Sequence, residues 1–239
     1  TVDKNGNWSF TVPKGDVQAL ADTSYTIKAD AADAAQNPAS TTHNITVDTA
    51  APTLVVDVVN SVFSDGYLNI AEAAVDRIVS GKGSVGETVS LNINNRTISA
   101  VVDGQGNWQM TLLAADLQSL PPSASLVFTS TDAAGNTAKN TVNVSVNTTS
   151  GPSITLGSMF VDNIVSIAEA KAGATLSGTV TGLVNGTSVT VTIGNDKFYG
   201  TVSGNTWTVA VTPGALKTSG QLDVTVTAND AWGNPATAH

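Results

Sequence analysis

The sequence has no cysteine and only two histidines, His43 and the terminal His239. No disulfide framework, thiolate nucleophile or soft-metal site can be assembled from it. Ser/His/Asp and Cys/His catalytic sets lack the material as well. Charged residues make up 12% of the 239 positions, where a soluble domain usually carries about 25%. With 10 basic against 19 acidic residues, the net charge is −9 and the pI ≈ 4.4. That balance excludes the clustered Lys and Arg on which nucleic-acid binding depends. No apolar run approaches the roughly 18 residues of a membrane-spanning helix, so this segment is not expected to insert into a bilayer. The start, Thr1-Val2-Asp3-Lys4, has neither an initiator Met nor a signal peptide, and the chain is expected to be a fragment.

What the chain does contain is 33 Thr and 30 Val, residues suited to a pleated strand, and an internal repeat. Trp8, Trp108 and Trp207 lie 100 and 99 residues apart, each after a Gly/Asn-containing turn. Asp33-Ala-Ala-Gln-Asn37, Asp132-Ala-Ala-Gly-Asn136 and Asp230-Ala-Trp-Gly-Asn234 are spaced by 99 and 98. Ile70-Ala-Glu-Ala73 recurs as Ile167-Ala-Glu-Ala170 after 97 residues, and Val47-Asp48-Thr49 recurs as Val146-Asn147-Thr148 after 99. A period of this length is a domain rather than a solenoid repeat. The phase predicts the second half of a unit in residues 1–49, a complete unit in 50–148, and a third unit in 149–239 that lacks its last strand.

Within the complete unit, candidate strands are Thr53–Val59, Thr88–Ile93, Thr97–Val102, Trp108–Leu112, Ser125–Ser130 and Thr141–Val146, and turn residues punctuate the chain between them. Glu72–Val79 and Ala114–Leu120 are read as possible helical turns. Short alternating strands without a long amphipathic helix predict an all-β fold of tandem immunoglobulin-like β-sandwiches. Each repeated Trp is expected to anchor a core.

The set Gly-Asn-Trp, Asp-Ala-Ala-Gly-Asn, Val-Asp-Thr-Ala-Ala-Pro and Ile-Ala-Glu-Ala, at this order and spacing, resembles the bacterial immunoglobulin-like (BIg) repeats of giant non-fimbrial adhesins exported by type I secretion. The resemblance implies a rod-like stalk on the bacterial surface, secreted and extracellular, serving host-cell adhesion and virulence. It also implies calcium ions that stiffen the domain junctions. The partners would be adjacent BIg domains of the same chain and, through the parent protein, the host-cell surface and its glycans.

Calcium takes six to eight oxygens from carboxylates, amides, carbonyls and water, and loops rich in Asp, Asn and Glu supply them. Sandwich topology places the loop 64–72 at the C-terminal pole and the Asp132 turn at the N-terminal pole. Asp65, Asn69 and Glu72 would then face Asn147 in the linker and Asp230 of the next unit. Asp48 and Asp132 would meet at the preceding junction. Asp30 and Asp33 would point to a unit before the first, and Asp162 and Glu169 to one after the third. Asn147 stands where the first linker has Asp48, so its site is expected to be weaker or differently built. The same Asp-x-x-Gly-Asn pattern also reads as an ordinary tight turn, because Asx side chains bond their own backbone. Two other functions compete with the stalk. One is direct glycan binding through Trp232, which stands where the other copies of the turn have Ala. The other is an accessory sandwich of a secreted carbohydrate enzyme. The residues themselves predict no enzyme activity.

Overall fold

The computed structural model describes residues 2–58, 61, 63–160, 164–216 and 220–239. Residues 2–49 contain a short helix, α1 (Lys14–Gln18), and one antiparallel pair, β1 (Ser24–Ala32) with β2 (Pro38–Thr46). Two strands cannot enclose a core. None of the residues 2–49 is buried, and Trp8 and Phe10 are 58% and 80% exposed.

Residues 50–148 form a two-layer sandwich. Its elements are β3 (Leu54–Val56), β4 (Tyr67–Asn69), α2 (Ile70–Ala73), β5 (Arg77–Gly83), β6 (Thr88–Ile93), β7 (Arg96–Val101), β8 (Asn107–Leu112), α3 (Ala114–Gln118), β9 (Ser123–Thr131) and β10 (Thr137–Asn147). One sheet runs β3-β5-β8 and the other β4-β10-β9-β6-β7. All ladders are antiparallel except β4 on β10, whose parallel register pairs Leu68 with Val146 and Asn69 with Asn147. Alternation along β6, β8 and β9 turns Val89, Leu91, Trp108, Met110, Leu126 and Phe128 into one core, as a sheet with one wet face requires.

Two expectations for this unit change. The first strand spans only Leu54–Val56, with Val59 outside the described residues. The helical reading of Glu72–Val79 holds only for α2; Arg77–Gly83 is a strand of the three-stranded sheet. Its glycines disguise it, and Trp108 is their cause. The Trp108 ring lies across Gly81, its register partner, where an added Cβ would stand 2.6 Å from Cζ2 and 1.9 Å from the Val55 carbonyl oxygen. The indole N–H donates to the Lys82 carbonyl at 3.1 Å.

Residues 149–239 repeat the design with β11 (Ser153–Ile154), α4 (Ile167–Ala172), β12 (Ala174–Thr181), β13 (Ser188–Ile193), β14 (Asp196–Ser203), β15 (Thr206–Val211), β16 (Val224–Asn229) and β17 (Pro235–Ala238). Here β14 bonds to β15, so the strands join in a single order, β11-β12-β15-β14-β13-β16-β17, folded over one core. Trp207 covers Gly178 and donates to the Thr155 carbonyl at 2.9 Å. The unit was expected to lack its last strand; four residues of that strand, β17, are present and paired with β16.

Candidate functional site

Besides Asp65–Asn69, whose Asn caps α2, five segments place an Asn four residues after an Asp: Asp3–Asn7, Asp33–Asn37, Asp103–Asn107, Asp132–Asn136 and Asp230–Asn234. All five fold identically. The Asp Oδ1 accepts the backbone N–H groups two and four residues ahead at 2.8–3.0 Å. The Asp N–H donates to the Asn carbonyl at 2.8–3.1 Å, and the Asn amide donates to the Asp Oδ2. The fourth position takes a left-handed φ, for instance 78° at Gly106 and 93° at Gly135, which glycine adopts without a Cβ clash. The turn closes on itself from its own residues, as an Asx motif should.

These bonds favour the ionised carboxylate. Asp103 is held below its usual range chiefly by the Asn107 backbone N–H, and Asp132 chiefly by the Asn136 side-chain amide. Asp33 and Asp3 are shifted the same way, led by the Asn37 amide and the Asn7 backbone N–H. A lowered folded pKa stabilises the fold above the unfolded pKa of about 3.9 and loses that contribution as pH falls through the folded value. The melting temperature of the 50–148 sandwich is therefore expected to be flat near neutrality and to fall below about pH 4. An Asp103→Asn variant should show a shallower fall. A parallel acid profile for the variant would refute this.

What distinguishes the pole copies is the second hydrogen of the Asn amide. Asn136 Nδ2 donates to the Asp48 backbone carbonyl at 3.0 Å, and Asn234 Nδ2 donates to the Asn147 carbonyl at 3.1 Å. Each turn is thereby tied to the linker that precedes its own sandwich. At the Asn147 junction the tie is extensive. Asn234 is 1% exposed, and its Oδ1 accepts the Ile70 N–H at 2.8 Å, satisfying an orphan donor in the first turn of α2. Asn147 Nδ2 donates to Asp230 Oδ2 at 3.2 Å, and the Trp232 indole N–H donates to Ser145 Oγ at 3.0 Å.

Of the predicted ligands, Asp48 and Asp132 are brought to the same Asn136 amide. Asp48 Oδ1 also accepts the Ala50 N–H at 3.1 Å. Asn147 and Asp230 are in contact, and Asn69 lies beside Asn147 in the β4–β10 register. Asn69 and Glu72 form the capping box of α2, each side chain bonding the other's backbone N–H at 2.9 Å. Glu169 plays the same part with Ser166 at α4. Asp65 bonds the Tyr67 N–H at 2.9 Å. Asp30 lies on β1, ion-paired with Lys28 at the exposed surface, and Asp33 sits in its own turn. Asp162 lies outside the described residues. Asn136 and Asn234, which make the junctions, were not singled out from the sequence; their recurrence at the close of every Asp turn was the available signal.

Among the described residues no group of three or more His, Asp or Glu side chains could hold a metal ion. A calcium site here would need amide, carbonyl and water oxygens beside its carboxylates, a mixture calcium accepts. The Asp48 junction is compatible with that chemistry: the Asp48 backbone carbonyl and the Asp132 carboxylate meet at the Asn136 amide, and the Asp48 side chain makes a single bond among the described residues, to the Ala50 N–H. The Asn147 junction is not. Asp230 accepts four hydrogen bonds, from the Trp232 and Asn234 N–H groups on Oδ1 and from the Asn234 and Asn147 amides on Oδ2. A carboxylate offers about four lone-pair positions, so none is left facing a cation.

No protein-family model matches the chain, and no curated protein does. Solved structures do. The chain is 33% identical to a Ca2+-stabilised adhesin with which an Antarctic bacterium binds ice, with 99% of this chain and 60% of that one covered and a TM-score of 0.43. It is 28% identical to part of a 1.5-MDa bacterial ice-binding adhesin, with 99% and 79% covered and a TM-score of 0.45. It is 34% identical to a single bacterial immunoglobulin-like domain from the M. primoryensis ice-binding adhesin, with 41% of this chain and 96% of that domain covered and a TM-score of 0.29. The chain spans less than two thirds of the first of these structures.

Proposed function

We propose that the chain is a run of bacterial immunoglobulin-like adhesin domains, serving as a structural stalk segment of a secreted cell-surface adhesin; sequence identity of 28–34% to ice-binding adhesin domains supports this reading. Its work is to transmit position from one sandwich to the next, without catalysis. The observation that carries this reading is Asn234, almost fully buried between two sandwiches and bonded to the Ile70 N–H and the Asn147 carbonyl. Such a residue is spent on a joint, not on a ligand.

In this reading residues 1–49 correspond to the second half of a repeat, 50–148 to a whole one and 149–239 to a third. Each contacts the adjacent domains of the same chain, and the adhesin as a whole contacts a host surface. Calcium would stiffen the junction at Asp48, where Asp48 and Asp132 supply the carboxylates and the Asp48 carbonyl a further oxygen. Because the ion binds only the ordered junction, binding and ordering are one linked equilibrium. The alternative, direct glycan binding by Trp232, has less support, since the indole is half-buried and its N–H is used against Ser145.

Calorimetric titration of calcium into the chelator-stripped chain tests this. Saturable binding that disappears in Asp132→Ala is the expected result. No heat at millimolar calcium would remove calcium from the account and leave the Asp turns as turns.

A further inference from the structure

The two junctions of this chain are chemically different, and three substitutions between equivalent positions fall together at one of them. Where the first junction has Asp48, Ala134 and Thr46, the second has Asn147, Trp232 and Ser145. Together the changes add two direct bonds. Asn147 turns its amide to Asp230, and Trp232 reaches Ser145. Asp48 brings a second negative charge to its junction; the Asn147 amide brings none and donates to Asp230 instead.

We propose that the joint between residues 50–148 and 149–239 is locked by side-chain hydrogen bonds alone and keeps its rigidity without calcium. The lock has three members. Asn234 closes on Ile70 N and the Asn147 carbonyl, Asn147 closes on Asp230, and Trp232 closes on Ser145. The donors of the lock fill every acceptor position of Asp230, and Asn69 and Glu72 are spent on each other in the capping box. A metal entering here would have to break bonds that already satisfy the site. The contrast with a calcium-held joint at Asp48 rests on the function proposed above; the lock itself does not.

The absence of native cysteine allows clean labelling. Spin labels on Thr111→Cys and Thr208→Cys, both exposed strand positions, report the distance distribution across this joint in the whole chain. The narrow distribution should be the same in EGTA and in millimolar calcium. Broadening in EGTA that calcium reverses would overturn the proposal. Asn234→Ala and, in case the buried change disturbs folding, the more peripheral Trp232→Ala should each broaden the distribution in both solutions. An unchanged width in both variants would also overturn it. In Asn147→Asp a carboxylate faces Asp230, and the joint should become broad in EGTA and narrow in calcium. If Asn147→Asp binds no calcium while the unsubstituted joint stays narrow in EGTA, the calcium reading of the Asp48 joint fails and the lock stands.

Discussion

Trp108→Ala is expected to destabilise the 50–148 sandwich by about 3–5 kcal/mol, the usual cost of emptying a large aromatic site in a core. The site cannot collapse easily. Trp108 is 2% exposed, its ring lies 5.7 Å from that of Phe128, and beneath it is Gly81, which has no side chain to move into the gap. The Lys82 carbonyl also loses its indole donor, adding about 1 kcal/mol. For a domain of this size each kcal/mol shifts the melting temperature by roughly 4–8 °C, so calorimetry should see the transition of this unit fall well clear of that of the third. Gly81→Ala should damage the same unit from the other side, because its Cβ would strike the Val55 carbonyl and push β3 off β5. Trp8→Ala provides the contrast: Trp8 is mostly exposed, and its removal should cost less than about 0.5 kcal/mol. Equal losses at Trp8 and Trp108 would show that the Trp-over-Gly packing is not what holds the sandwich.

The second large effect is expected at Asn234. Its side chain makes three bonds, with the Ile70 N–H, the Asn147 carbonyl and Asp230 Oδ2, and it is buried while making them. At about 1 kcal/mol net for each bond, Asn234→Ala should cost about 2–4 kcal/mol. Part of the loss falls within the third unit, whose Asp230 turn loses its side-chain closure. The rest falls between units. Two sandwiches that stabilise each other melt closer together than they would apart, so the variant should separate their calorimetric transitions. Asn107→Ala removes the same turn-closing amide from Asp103 at a hairpin away from the junction, and should lower only the transition of its own unit. If Asn234→Ala leaves the spacing between the two transitions as it was, the joint does not couple the domains thermodynamically.

The strands with one wet face were legible because alternation shows directly in the residues, as in β6 and β10. β5 was not, because its pattern is interrupted by the glycines that Trp108 demands, and that demand comes from a strand 26 residues away. Asn69 and Glu72 carried a local signal, an Asn three residues before a Glu, which is a helix-start pattern; grouping them with the Asp residues of the poles hid it. The Asp–Asn turns posed the deepest ambiguity. Spacing is identical in the copies at Trp hairpins and in those at the poles, since the same five-residue closure builds both. Only the destination of one amide hydrogen separates them, and that is decided by which linker the fold brings near.

The parallel pair of β4 and β10 has a mechanical meaning. In the stalk proposed above, tension along the chain would enter the 50–148 sandwich near β3 and leave through the end of β10. Strands near entry and exit that run parallel are then pulled past each other lengthwise, so their hydrogen bonds are strained together instead of unzipping one at a time. The three register pairs Tyr67–Ser145, Leu68–Val146 and Asn69–Asn147 are where that tension concentrates, immediately before the joint. In the proposed stalk this short ladder is expected to set the force at which the 50–148 sandwich opens, so that the segment holds its length below one threshold and yields above it.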